Sequence, residues 1–380
     1  MPLHDDLLNR IRQRATTYDR DNAFFHKDLH ELQNTNYFQL FVPSSHGGAG
    51  LTLEQMVDVQ MKLAGASAST ALSVNMHQIW VGVARLVNRE RPGSLDWIFD
   101  DAINGEVYGF GISEPGNDLV LFGSHSQARP DGDGGYTFHG VKIFTSNGPG
   151  WTRLGTFGQD DSDPDHPKSI YAVITREGGG FEIKSDWDTL GMRASQSHTT
   201  VLNGAHAPAE RVLARLDPGP NTDPLIFGIF ANFEVLVSAV YLGIAQRALD
   251  LAVEAVGKRT SVATSTPYSH DPVIRRKIAE TAIALDNAYL HLRTIAHDVE
   301  NGTDHGHHWF PRLSAVKVHA TETARTVVDQ AMRIAGGASY FSSNELSRLY
   351  RDVAAGIFHP TSDLALHRAW ADLTLGPLPQ

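Results

Sequence analysis

The sequence predicts an α+β protein built as three successive domains: a helical domain over residues 1–106, a β domain over 107–217 and a four-helix bundle over 218–380. Three observations predict it. Apolar residues fall near helical spacing towards both ends of the chain, as in Leu29, Leu32 and Phe38, or Ile278, Leu285 and Ile295. The middle of the chain instead carries short β-branched and aromatic runs at 169–175, 181–184 and 199–202, parted by Gly- and Asp-rich turns. The two patterns are segregated along the chain rather than alternating, which argues for separate helical and β layers.

The elements follow in order. Val42-Pro-Ser-Ser-His-Gly-Gly-Ala-Gly50 reads as a loop, and Thr52 then caps a helix carrying Met56, Val57, Val59 and Leu63. A small-residue run at 64–71 leads into a helix over 72–87. Val107, Phe110 and Ile112 begin a strand that Ser113-Glu-Pro115 stops. Tyr136, Phe138, Val141 and Ile143, with the Asp131-Gly132 turn, suggest a hairpin that runs on through residues 140–147, Gly-Val-Lys-Ile-Phe-Thr-Ser-Asn. Residues 159–168 are polar and read as an exposed loop. Helices are expected over 223–258, 275–300, 311–335 and 345–357.

Composition narrows the function. The formal net charge of −11 argues against a nucleic-acid surface and an anionic membrane. With no cysteine, thiolate catalysis, disulfides and Cys-ligated zinc are excluded. The opening Met-Pro-Leu-His-Asp-Asp has neither a basic nor an apolar leader segment, so the expected location is the cytoplasm. Residues 225–245 are long and apolar enough to span a bilayer. The helical pattern runs on into Gln246, Arg247 and Asp250, and Glu234 would sit near the midplane, so the expected place of this helix is the centre of a bundle.

Five motifs in chain order resemble the acyl-CoA dehydrogenase family of flavoproteins: Ser113-Glu-Pro115, Lys142-Ile-Phe-Thr-Ser-Asn147, Leu190-Gly-Met-Arg-Ala-Ser195, Gly243-Ile-Ala-Gln-Arg-Ala-Leu249 and Gly336-Gly-Ala-Ser-Tyr340. The resemblance spans nearly the whole chain. It implies bound FAD, or FMN, without a dinucleotide fingerprint; Gly109-x-Gly111-x-x-Glu114 lacks the third glycine. By the same resemblance Ser113 and Ser146 hydrogen-bond the flavin ring edge, Phe110 and Phe144 lie beside it, and Arg259 with Gly336 and Gly337 holds the flavin of a neighbouring subunit. A homodimer or homotetramer is therefore expected.

The base position departs from the family. Where the family has Tyr-Glu-Gly-Thr, this chain has Phe358-His-Pro-Thr361, so His359 stands for the glutamate that takes the α-proton of an acyl thioester. An imidazole near pKa 6.5 can serve as a base. Glu234 lies one residue from the site some members use on the long helix, and one residue is about 100° of helix, which favours a structural pairing. Two functions follow from the resemblance. The leading one is α,β-desaturation of an acyl-CoA thioester with hydride passing to FAD, and electrons leaving through an electron-transfer flavoprotein. The alternative is a two-component monooxygenase, fed by a flavin reductase, that hydroxylates a small substrate with O₂. In that case His77, Ser146 and His359 would stabilise charge on oxygen at the flavin face. A third class is a scaffold that binds ligand without turnover. His305-Gly-His-His308 sits in a polar loop without carboxylates at catalytic spacing, so no metal site is expected.

Overall fold

The computed structural model describes residues 3–378. The N-terminal domain holds α1 (Asp5–Arg20), α2 (His26–Asn34), α3 (Leu53–Ala66), α4 (Ala68–Glu90) and α5 (Asp96–Ile103). Thr52 caps α3 as expected, in a reciprocal box: Gln55 N–H donates to Thr52 Oγ1 (3.3 Å) and Thr52 N–H to Gln55 Oε1 (2.9 Å). The middle domain is a mixed sheet of β1 (Tyr108–Gly111), β2 (Gln127–Pro130), β3 (Tyr136–Lys142), β4 (Arg153–Asp160), β5 (Lys168–Thr175), β6 (Phe181–Ile183), β7 (Thr200–Ala207) and β8 (Val212–Leu216), in the order β6-β7-β3-β2-β4-β5-β8, with β1 parallel to β4. The C-terminal domain holds α6 (Pro224–Gly257), α7 (Pro272–Asn301), α8 (Trp309–Ala335), α9 (Glu345–Val353) and α10 (Asp363–Leu375).

Three local readings of the sequence are corrected. The stretch 140–147 is a strand only as far as Lys142. Phe144 and Asn147 have φ of 56° and 64°, so its second half is a turn in the left-handed region. The last bundle helix ends at Val353 and tightens into a 3₁₀ turn over Ala354–Ile357. A further helix, α10, follows, capped by Ser362.

The core is organised around α6, which packs on α3 and α4 on one side and on α7 and α8 on the other. Of its most apolar stretch 83% is buried inside the protein, so its length and hydropathy belong to a core helix. The close crossing with α3 depends on Gly243, where an added Cβ would stand 2.4 Å from Met61 O and 2.8 Å from Ala64 Cβ. Gly243→Ala is expected to cost about 1–3 kcal/mol through overpacking, read as a lower denaturant midpoint with an unchanged m-value.

Candidate active site

Two strand ends meet where the sheet faces α6. Ile143 N–H donates to Ser113 O at 2.9 Å, setting the turn after β3 beside the end of β1. A buried ion pair fixes this junction: Lys142 Nζ donates to Glu114 Oε1 at 2.6 Å and to Phe157 O at 2.8 Å. Glu114 also accepts from Asn117 Nδ2, Ser124 Oγ, His125 N–H, and the N–H and Oγ–H of Ser126. Burial works against its charge, but Lys142 and these donors outweigh it and hold its carboxyl down at about 2. One carboxylate thus ties both strand ends to the loop between β1 and β2.

Between that junction and α6 lies a narrow cleft whose free volume is about 30 Å³, room for a single water molecule. Phe110, Ile112 and Ser113 line it from the β1 side, Val120 and Leu121 from the loop, and Ile229, Phe230, Phe233 and Glu234 from α6, with Pro360 at one end. Phe110 and Phe233 stack at 5.4 Å between ring centroids. The walls are apolar, and the one carboxyl among the described lining residues is Glu234.

Glu234 is 1% exposed. Its Oε1 accepts from Thr361 N–H (3.1 Å) and from Thr361 Oγ–H (2.6 Å), and its Oε2 is buried without a partner. Lys317 is near but gives it no hydrogen bond. The ammonium donates to three carbonyls instead, of Gly356 (2.8 Å), His359 (2.6 Å) and Thr361 (3.1 Å). Burial drives the Glu234 carboxyl well above the usual range, against the pull of Thr361 and Lys317, and lowers Lys317 below an ordinary lysine. An unfolded glutamate ionises near 4.5, so as pH rises above that value the unfolded chain loses a proton that the folded chain keeps. Stability contributed at this site therefore falls from about pH 4.5 upwards, until the folded carboxyl itself ionises. Glu234→Gln is expected to remove that decline, so the thermal midpoint of the variant should gain on the natural protein as pH is raised. Parallel midpoint curves would show that Glu234 is ionised in the fold.

His359 stands in the turn that Lys317 holds. Its ring meets Phe233 and Tyr241 edge-on, and its Nε2 is buried without a partner. Burial, reinforced by the Lys317 charge, pushes the imidazole down to about 3, so the ring is neutral at physiological pH and a weak base. His77 is placed differently. Its Nε2–H donates to Phe38 O at 2.9 Å, and its Nδ1 accepts from Tyr108 N–H at 3.3 Å. Both ring nitrogens are occupied by backbone, so His77 fastens β1 to the N-terminal domain and has no free nitrogen to turn to a cofactor.

The remaining predicted residues fall into two places. Phe110 and Ser113 line the cleft. Phe144 is 55% exposed beside them in sequence register and meets Trp187 edge-on. Ser146 is buried, its hydroxyl in a chain with Ser197 (2.8 Å) and Ser195 (2.7 Å). Arg259, Gly336 and Gly337 gather at the far end of α6. There Arg259 Nη1 donates to Ala335 O at 2.7 Å and its guanidinium lies over Tyr268. A Cβ on Gly336 would come within 2.9 Å of Arg259 Nη1, so the glycine is what lets the guanidinium lie there. At ~1.5 Å per residue this cluster is roughly 35 Å along α6 from Glu234. The strand-end junction, the exposed Phe144 and the Gly336–Arg259 cradle suit the ring and the phosphate end of a flavin respectively.

Sequence reasoning missed Thr361, Ser314 and Lys317. The available signal was Lys317 itself, a lone lysine between Val316 and Val318 on a buried helix face, since a buried ammonium needs several acceptors. No cluster of three or more metal-ligating side chains occurs among the described residues.

Comparison with known proteins completes the picture. The N-terminal domain of acyl-CoA dehydrogenase matches residues 5–89, and the acyl-CoA dehydrogenase C-terminal domain matches 235–363. YdbM of Bacillus subtilis, a proposed acyl-CoA dehydrogenase, is 29% identical over 96% of this chain and 94% of its own length. The amino sugar nitrososynthase RubN8 of Streptomyces rubradiris is 26% identical over 94% of this chain and 85% of its own. The structure of KijD3 with FMN and a dTDP-linked amino keto sugar superposes with a TM-score of 0.87 at 26% identity, covering 98% of this chain and 92% of that one. The two domain matches, the full-length relatives and the shared three-domain architecture together establish that the chain belongs to the acyl-CoA dehydrogenase superfamily of flavin-dependent oxidoreductases.

Proposed function

We propose that the chain is the oxygenating partner of a two-component flavin system: it takes reduced flavin from a separate reductase and inserts one atom of O₂ into a small, largely apolar substrate bound beside the flavin. The observation that supports this best is the acid–base state of the cleft. The position that carries an ionised glutamate in desaturating members holds a neutral imidazole, His359, and the one carboxyl lining the cleft, Glu234, is driven towards its neutral form. Taking a proton from carbon calls for a base of adequate pKa, and an imidazole held down at about 3 is a poor one. Placing charge on oxygen calls for donors in a dry, apolar setting, and a carboxyl kept neutral by burial is such a donor.

A bound reduced flavin supplies the two electrons of the balance RH + O₂ + 2 e⁻ + 2 H⁺ → ROH + H₂O. Ser113 and the turn carrying Phe144 and Ser146 would hold the flavin ring edge. Phe110, Phe230 and Phe233 would exclude water, and Glu234 would hold a hydrogen bond to the oxygen that leaves. The Arg259–Gly336–Gly337 cluster lies too far along α6 to reach the same flavin ring, so it would hold the phosphate end of a flavin in a second copy of the chain, giving a homodimer or homotetramer. The nitrososynthase relatives and the FMN complex of KijD3 support the same branch. The test is to supply reduced FMN and O₂ and follow flavin reoxidation and H₂O₂ release. The protein is expected to slow reoxidation and suppress H₂O₂, while acyl-CoA thioesters leave oxidised flavin unbleached under anaerobic conditions. Bleaching by butyryl-CoA would overturn the reading.

A second reading keeps desaturation of an acyl thioester, with Glu234 rather than His359 as the base. It is favoured by the unpartnered Oε2 at the cleft and by the similarity to YdbM.

A further inference from the structure

We propose that His291 and His319 form a binding site for a tetrahedral divalent transition-metal cation, best matched by Zn²⁺, which clips α7 to α8 on the outer face of the bundle. The two imidazoles supply two ligands and water supplies the rest. This goes beyond the oxygenase reading and does not depend on it.

The two rings come from different helices. His291 stands on α7 and His319 on α8, and these helices pack against each other. Their Nδ1 atoms face one another at 3.2 Å, with ring centroids 5.4 Å apart and planes inclined at 41°. Zinc holds imidazole nitrogen at about 2.0–2.1 Å, so two nitrogens at a tetrahedral angle lie about 3.3–3.4 Å apart. The right angle of a square-planar Cu²⁺ or Ni²⁺ site would bring them to about 2.9 Å. The observed separation is nearer the tetrahedral bite. A metal-free pair meets the same distance with one ring donating Nδ1–H to the other. Binding a cation moves that proton, by way of water, to Nε2 of the same ring, so no net proton is released.

The site stands on rigid ground. Leu292 and Ile295 of α7, and Val316 and Ala320 of α8, are buried in the core. The backbone under both histidines is therefore fixed before a metal arrives, and little freedom is lost in ordering the ligands. His319 is exposed and lies about 200° round α8 from Lys317, so this face turns away from the cleft and towards solvent. The charged side chains next along each helix already have partners. Arg293 donates to Tyr289 and Glu54, and Glu322 accepts from Arg325. His297 and His305 are likewise engaged, with Glu54 and with Asp298 and Arg312. Burial and the facing His319 lower the pKa of His291, which favours the neutral ring that a metal needs.

The test titrates the purified, tag-free full chain with Zn²⁺ at neutral pH by calorimetry, with Mg²⁺ as the hard-cation control. One zinc per chain and no Mg²⁺ binding are expected. His291→Gln and His319→Gln should each weaken zinc binding at least about tenfold, whereas His307→Gln, in the turn before α8, should leave it unchanged. Zinc should raise the thermal midpoint of the natural protein by about 2–4 °C and that of neither glutamine variant at positions 291 and 319. Zinc-edge X-ray absorption of the natural protein should count two imidazole nitrogens, a readout that needs no variant. Zinc with fewer than two imidazole ligands, unchanged affinity in His291→Gln or His319→Gln, or zinc spread over several weak sites as adventitious surface binding only, overturns the proposal.

Discussion

Replacing Lys142 with methionine is expected to lower the stability of the protein by about 3–5 kcal/mol, because it strands a buried carboxylate. Lys142 is fully buried and its ammonium answers both Glu114 and the carbonyl of Phe157. Five other donors remain on Glu114, so the carboxylate does not lose every partner, but it loses its counter-charge. The double replacement Glu114→Leu with Lys142→Met should be less damaging than the sum of the single ones, since it removes the stranded charge. Denaturant midpoints for the two single variants and the double variant form a cycle that isolates the pair. Additive losses would show that the two groups act independently. The same substitution should weaken flavin binding more than a loss of global stability explains, because the pair sets the register between Ser113 and Ile143.

At Glu234 the expected effect is on chemistry. Glu234→Leu should reduce substrate-dependent turnover with reduced flavin by about 10²–10⁴, the range associated with loss of a positioned proton donor or acceptor. Glu234→Gln separates the two enzymatic readings. Glutamine still donates a hydrogen bond from a neutral side chain, so an oxygenase should keep much more activity in the glutamine variant than in the leucine variant. Glutamine cannot take a proton from carbon, so a desaturase should fall as far with glutamine as with leucine. Single-turnover absorbance measurements at matched flavin loading give the comparison directly.

The sequence carried the order of domains and the place of the long apolar helix because both rest on patterns repeated over many residues. It carried the strand end at Phe110 and Ser113 because a strand stopped by Ser-Glu-Pro is a local signal, and β1 ends there beside the cleft. β4 was not legible: Gly155 and Gly158 dilute its apolar character, although it lies between β2 and β5 and also pairs with β1. A Cβ at Gly155 would fall within 2.1 Å of Trp80, so that glycine marks a close approach of α4 and not a break in the strand. The cluster around Glu234 was illegible for another reason. Glu234, Ser314, Lys317 and Thr361 come from three separate elements, and a tie between hydroxyl, carboxyl and ammonium leaves no periodicity in any one of them. His77 was over-read because a histidine in a helix looks the same in sequence whether it faces a cofactor or two backbone groups.

The passage of α6 between the two helical domains bears on how the protein folds and can be dissected. Residues on one side of this helix close the core of α3 and α4, and residues on the other side close that of α7 and α8. The boundary near residue 218 therefore divides the chain on paper but not as a folding unit. A fragment ending there would expose the α3 and α4 faces to water, and a fragment beginning there would carry an apolar rod with half its covering gone. Both pieces should aggregate when expressed separately, and the intact chain should melt in one transition for the helical parts, with slow amide exchange along α6 shared by both flanking layers.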